Sequence, residues 1–118
     1  MIKTLDDFQV YQLAMDLGEN VWSIVLKWDY FCKDTIGKQL VRASDSIAAN
    51  LSEGLGRYHY KETKNFSYYS RGSLFETKTW ITKAKNRFLI TEKQYHEFGN
   101  TLDSIGIKIN NYIKTLGN

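Results

Sequence analysis

Gln39-Leu40-Val41-Arg42-Ala43-Ser44-Asp45-Ser46-Ile47-Ala48-Ala49-Asn50-Leu51-Ser52-Glu53-Gly54 is the stretch on which the reading of this chain turns. Ile36, just ahead of it, opens a series continued by Leu40, Ala43, Ile47, Asn50 and Gly54 at alternating spacings of four and three. That spacing keeps side chains on one face of an α-helix. Most members of the face are small, so the helix packed against it is expected to come close. Asn50 falls on the same stripe, where an amide needs hydrogen-bond partners and in helical assemblies often fixes register or oligomeric state.

Three further helical segments surround this one. In the first, Val10, Ala14, Leu17, Val21, Ile24 and Trp28 make a core face. Phe8, Tyr11, Met15, Gly18, Trp22 and Val25 add a second stripe beside it. That is more apolar surface than a bundle interior requires, and contiguous exposed apolar surface usually marks an interface. Phe8, Tyr11, Met15 and Trp22 are therefore expected at contacts between copies of the chain. A turn-like region, Asp29 to Asp34, leads into the second segment. In the third, Phe66, Ser70, Ser73, Thr77, Trp80 and Ala84 read as the inward face. The fourth opens on Thr91 with Gln94 three residues on, the pattern of a capping box. Tyr95, Phe98, Leu102, Ile105, Ile109, Tyr112 and Leu116 then alternate at three and four, the signature of left-handed bundle packing.

Helices of about 22 residues are about 33 Å long, and short connections force neighbours to run antiparallel. The expected fold is all-α, an antiparallel up-down-up-down four-helix bundle, with residues 1–118 as a single domain. If the second and third segments turn back near His59, Ser46 stands level with Gly72 and Arg42 with Glu76. Ala43, Ser46 and Ala49 against Gly72 and Ser73 would let the backbones approach, and Arg42 would pair with Glu76 at the edge of the seam. Gly72, Gly99 and Gly106 each cost about 1 kcal/mol against Ala inside a helix, so a close contact is expected at each.

The residues Gln39, Leu40, Arg42, Ala43, Ser46, Ile47, Asn50, Glu53 and Gly54, followed by Arg71, Gly72, Ser73, Leu74, Glu76 and Thr77, carry a resemblance. Their pattern resembles that of the bacterial 23S rRNA intervening-sequence proteins, roughly Q-L-x-R-A-x-x-S-I-x-x-N-I-x-E-G and then A-x-G-S-L-x-E-T. With the opening from Phe8 to Leu17, the resemblance covers nearly the whole chain. It departs at Phe31-Cys32, where members commonly carry Pro, and at Tyr69-Ser70, where they carry Ile-Ala. The resemblance implies a four-helix bundle that closes into a homo-oligomeric ring, a pentamer. Genes of the family lie within ribosomal RNA intervening sequences, and relatives serve diversity-generating retroelements by binding RNA and a reverse transcriptase. Those relatives are more basic than this chain. Arg42, Ser46, Asn50, Glu53, Gly72, Ser73 and Glu76 are read as a structural motif that specifies fold and assembly.

Little in the chain points to catalysis. The two histidines, His59 and His96, have no metal-ligand spacing, and Glu92 with His96 one turn on reads as a solvated helix pair. Cys32 is the lone cysteine, with no neighbouring base to activate it. Gly54-Leu55-Gly56 is a bare G-x-G, too short for a phosphate loop. No cofactor, no metal, no small-molecule substrate and no enzymatic activity are expected. The N-terminus lacks signal-peptide features and no apolar run reaches the ~18 residues that span a bilayer, so a cytoplasmic protein without a membrane role is expected. The net charge of +3 is modest but uneven: residues 61–90 carry 7 basic and 2 acidic side chains. Arg57, Lys64, Arg71, Lys78 and Lys85 recur every seven residues, and Lys61 lies beside them. Such a stripe can follow a phosphate backbone, with Tyr58, Tyr60, Tyr68 and Tyr69 as stacking surfaces for unpaired bases. The functional expectation is a non-enzymatic, oligomeric scaffold associated with RNA through this stripe. The alternative is a protein–protein interaction module in which the charges serve only solubility.

Overall fold

The computed structural model describes residues 2–117. A short 3-10 turn, Leu5–Asp7, leads into helix α1 (Gln9–Val25). The chain then passes through a helical turn, Tyr30–Cys32, and a wide π turn, Lys33–Gly37, into α2 (Lys38–Leu55). Helices α3 (Tyr60–Asn86) and α4 (Glu92–Thr115) complete the fold, and among the described residues there is no strand. The Asp29 to Asp34 region is thus helical from Tyr30 onward rather than a turn. The reason is local: the Asp29 carboxylate accepts from Cys32 N at 2.9 Å, an N-cap that satisfies a free donor and starts the helix without a proline. At the head of α4, Thr91 Oγ1 accepts from Gln94 N at 3.1 Å while Gln94 Oε1 accepts from Thr91 N at 2.9 Å, completing the capping box.

Cross-helix contacts fix the direction of each neighbour. Ser70 Oγ donates to Ile47 O at 2.7 Å and Thr63 Oγ1 to Gly54 O at 2.9 Å, so α2 and α3 run antiparallel. Lys78 meets Asp103 at 2.9 Å and Arg71 meets Asn110 at 3.0 Å, which sets α3 against α4 in the same sense. The Phe8 and Tyr112 rings lie 4.7 Å apart at one end of the molecule, and Trp28 Nε1 donates to Leu89 O at 3.1 Å at the other. Helix α4 therefore also packs antiparallel to α1, closing an elongated bundle of 44 × 23 × 22 Å. Leu17, Val21, Leu40, Ile47, Leu51, Leu74, Ile81, Leu102, Ile105 and Ile109 fill its axis.

Helix α3 is rotated from the expected face. Its buried side chains are Thr63, Ser67, Ser70, Leu74, Thr77, Ile81 and Ala84, whereas Phe66, Ser73 and Trp80 lie half-buried at one edge. The expected levels hold to within a residue, as the Ser70–Ile47 bond requires, but Gly72 points away from α2. A Cβ placed on Gly72 or on Gly99 would meet nothing within 4 Å, and on Gly106 it would make only ordinary contact with Leu74 at 3.8 Å. None of the three is a tight seam. The close approach is made by Gly54, where a Cβ would stand 2.9 Å from Phe66 Cβ and 3.1 Å from Thr63 O.

Candidate functional surfaces

From Arg71 onward the basic stripe runs along the edge of α3 that faces α4, and most of the stripe is already engaged. Arg71 donates to Asn110 Oδ1 at 3.0 Å, Lys78 pairs with Asp103 at 2.9 Å, and Lys85 pairs with Glu92 at 3.6 Å. Arg57 pairs with Glu53 at 2.9 Å and approaches Glu62 at 4.0 Å. Each of these cations also lies over an aromatic face: Arg57 over Phe66, Arg71 over Tyr68, Lys78 over Phe75 and Lys85 over Tyr95, at 4.8, 4.9, 5.4 and 4.8 Å. Cation and ring attract through the ring quadrupole, so the side chains are held in place on the protein surface. Among the described residues only Lys61 and Lys64 of the stripe make neither an ion pair nor a side-chain hydrogen bond. From Arg71 to Lys85 the seven-residue repeat thus marks the polar edge of the α3–α4 seam, whereas Arg57, ahead of α3, is held by Glu53 of α2. The sequence carries the partners, Glu92, Asp103 and Asn110 on the last helix, but they become a signal only with the register of that helix against α3.

The motif residues come together on the outer edge of the α2–α3 seam. Ser46, Asn50 and Ser73 are half-buried there, while Arg42, Glu53, Gly72 and Glu76 are exposed. Their side chains bond within their own helices: Ser46 Oγ donates to Arg42 O at 2.8 Å, and Asn50 Nδ2 to Ser46 O at 2.9 Å. Glu76 Oε2 accepts from Trp80 Nε1 at 3.1 Å, and among the described residues no ion pair joins it to Arg42. The expected Arg42–Glu76 bridge is therefore absent, because the rotation of α3 carries Glu76 outward. The core instead bridges the two helices with hydroxyls, Ser70 and Thr63, on carbonyls of α2.

The second stripe of α1 divides. Phe8 is fully buried against Tyr112 and plugs one end of the core, so it is not free for a subunit contact. Gly18 and Val25 are likewise inside. Tyr11 is half-buried, and Met15 and Trp22 stand 42% and 51% exposed on the outer side, with Leu26 beyond them.

No catalytic arrangement stands out among the described residues. Among the described residues no three His, Cys, Asp or Glu side chains group as metal ligands, and His96 meets only Glu92, at 3.6 Å. Burial, then a 3.6 Å hydrogen bond to the Asp29 carboxylate, push the Cys32 thiol up from its ordinary pKa, which disfavours the thiolate a nucleophile needs. An open groove of about 870 Å³ lies at the Phe8 end, bordered by Leu55, Arg57, Tyr60, Lys108 and Tyr112. No helix among the described residues is long and apolar enough to cross a membrane.

Four antiparallel helices packed around one apolar axis place the chain in the class of small four-helix-bundle proteins. More narrowly, the chain belongs to the family described as 23S rRNA-intervening sequence protein, which matches residues 6–111. It is similar in structure to a protein of unknown function from the S23 ribosomal protein family of Bacteroides thetaiotaomicron, with a TM-score of 0.80 and 20% identity. That match covers 89% of this chain and 98% of the other, and it bears on the fold alone. No curated protein is detectably similar in sequence.

Proposed function

We propose that the protein is a non-enzymatic scaffold that assembles with copies of itself through the outer face of α1. The observation that carries this reading is the line formed by Met15, Trp22 and Leu26 on a helix whose core face is already filled. Half-buried Tyr11 extends the line toward the N-terminal end. Large side chains left in water along one helix gain from being covered by a second copy, at about 25 cal/mol per Å² of apolar surface removed from water. A contact between this face and a different face of the next copy propagates around a ring, and the family resemblance supports closure near five chains. Light scattering on the purified protein tests it. An oligomer is expected at micromolar concentration, and Met15→Glu with Trp22→Glu should yield a helical monomer. A wild-type monomer, or a double variant that stays assembled, sinks the reading.

RNA association through the α3 stripe is a second reading, and Lys61 and Lys64 favour it. The engagement of Arg71, Lys78 and Lys85 by α4 leaves that stripe fewer cations for phosphate than its sequence offers.

A further inference from the structure

The end of the bundle opposite Phe8 carries a surface that meets the scaffold line and the α3 stripe only at its borders, Leu26 and Lys85. Two connections meet there, the one between α1 and α2 and the one between α3 and α4, joined by the Trp28–Leu89 hydrogen bond of 3.1 Å. Three aromatic rings on these connections stand almost bare: Tyr30 at 78%, Phe31 at 73% and Phe88 at 94% exposure. Residues 26–38 and 83–93 together hold seven basic and three acidic side chains, an excess of four that is larger than the net +3 of the whole chain. The acids are occupied. Asp34 pairs with Lys38 at 2.9 Å, Glu92 with Lys85 at 3.6 Å, and Asp29 caps Cys32. Among the described residues Lys27, Lys33, Lys83, Arg87 and Lys93 make no ion pair.

Phe88 has a backbone oddity that sharpens the point. It ends α3 in the left-handed region, with φ of 61°, and is the only non-glycine residue with positive φ among those described. Leu89 N donates to Ala84 O at 2.9 Å and Phe88 N to Lys85 O at 3.1 Å, the pair of bonds that closes a helix at a position where glycine is usual. A side chain there strains the backbone, and this one is not compensated by burial. A strained, bare ring beside unpaired cations is what contact with a partner outside the molecule would account for.

We infer that this end of the bundle binds single-stranded RNA, with Tyr30, Phe31 and Phe88 stacking on unpaired bases and Lys27, Lys33, Arg87 and Lys93 meeting the phosphates. Planar rings offer faces to any base, and cations on the same two connections neutralise the phosphates of the strand. An anionic membrane fits less well. Asp29, Asp34 and Glu92 are exposed in the same ring of residues, and a lipid-seated tip would press them against headgroups of their own sign. A strand leaves them in water.

The test is the anisotropy of a labelled oligouridine of about twelve nucleotides, a length within the span such surfaces hold, at ~50 mM salt. Phe88→Gly is the informative variant, because it removes the ring and relieves the backbone together. Its thermal midpoint should rise while affinity falls roughly fivefold or more, the effect of one base left unstacked. Tyr30→Ser with Phe31→Ser should weaken binding further. Arg87→Glu with Lys93→Glu should flatten the log–log salt dependence by about 0.7 for each phosphate no longer neutralised. Lys3→Glu, Lys108→Glu and Lys114→Glu, away from this end, should leave affinity unchanged. Equal affinity for Phe88→Gly and wild type overturns the inference, as does an equal loss in the control. Wild-type protein that binds phosphatidylserine vesicles but not the oligouridine overturns it too, in favour of a lipid contact; so does protein that binds neither. Light scattering on the same samples reports assembly separately, so failure of the scaffold reading would be seen on its own.

Discussion

A Cβ on Gly54 would press on Phe66 Cβ at 2.9 Å and on the carbonyl of Thr63 at 3.1 Å, so α2 and α3 can meet there only over a bare backbone. Gly54→Ala should cost about 1 to 3 kcal/mol, the range for forcing a methyl into a packed seam. Gly72→Ala should do the reverse. It lies inside α3 with open space where its Cβ would be, so added helix propensity should stabilise by about 0.5 to 1 kcal/mol. Denaturant titration of the two variants checks both signs. A destabilised Gly72→Ala would mean that something outside the chain packs on that position, which would return the motif to the interface. The sequence alone could not separate these glycines. Both sit at helical spacing among small residues, and only the rotation of α3 about its axis decides which one faces α2.

That rotation is obscured by composition. The strongest apolar signals along α3 include Phe66 and Trp80, and they draw the eye to an edge. The buried series is Thr63, Ser67, Ser70, Leu74, Thr77, Ile81 and Ala84, four of them hydroxyls. Hydroxyls can be core when each hydrogen-bonds locally: Ser67 Oγ donates to Thr63 O at 2.9 Å, Thr77 Oγ1 to Ser73 O at 2.8 Å, and Ser70 crosses to Ile47 O. Among the described residues no buried side-chain polar atom lacks a partner. The other helices were legible because their stripes are aliphatic or aromatic: Val10, Ala14, Leu17 and Val21 in α1, Leu40, Ala43 and Ile47 in α2, and Phe98, Leu102, Ile105 and Ile109 in α4 are all buried as their periods require. Ser70, one of the departures from the family pattern, thus makes one of the two hydroxyl bonds between α2 and α3. Ser70→Ala should cost about 1 kcal/mol, the net worth of one hydrogen bond. Ser70→Leu should cost more, about 1 to 3 kcal/mol, by overpacking. Equal midpoints for wild type, Ser70→Ala and Ser70→Leu would show that α3 turns a different face inward.

Over the whole molecule, charge sorts into two kinds of surface that look alike as a sequence. Along the α3–α4 seam Arg71, Lys78 and Lys85 each find a partner on α4, whereas at the Phe88 end five cations make no ion pair among the described residues. The heptad is plain in the sequence, but its engagement is legible only once the register of α4 against α3 is known, because Glu92 and Asp103, which balance Lys85 and Lys78, and Asn110, which accepts from Arg71, lie on a different helix. The distinction makes a stability prediction. If Arg71, Lys78 and Lys85 were a free face, their reversal to Glu would leave folding untouched. With α4 opposite, Lys78→Glu and Lys85→Glu each replace an attraction by a repulsion, against Asp103 and Glu92, while Arg71→Glu gives up the Asn110 bond and the Tyr68 stacking. These pairs are partly exposed and screened, so each reversal should cost no more than about 1 kcal/mol. The three together should lower the thermal midpoint at low salt, and added salt should recover part of the Lys78 and Lys85 loss because screening weakens the new repulsions. Lys64→Glu, at a position without an ion pair, should leave the midpoint where it was. Thermal melts of the triple and single variants at two salt concentrations make the comparison, and a triple variant as stable as wild type would mean that the seam does not depend on its polar edge.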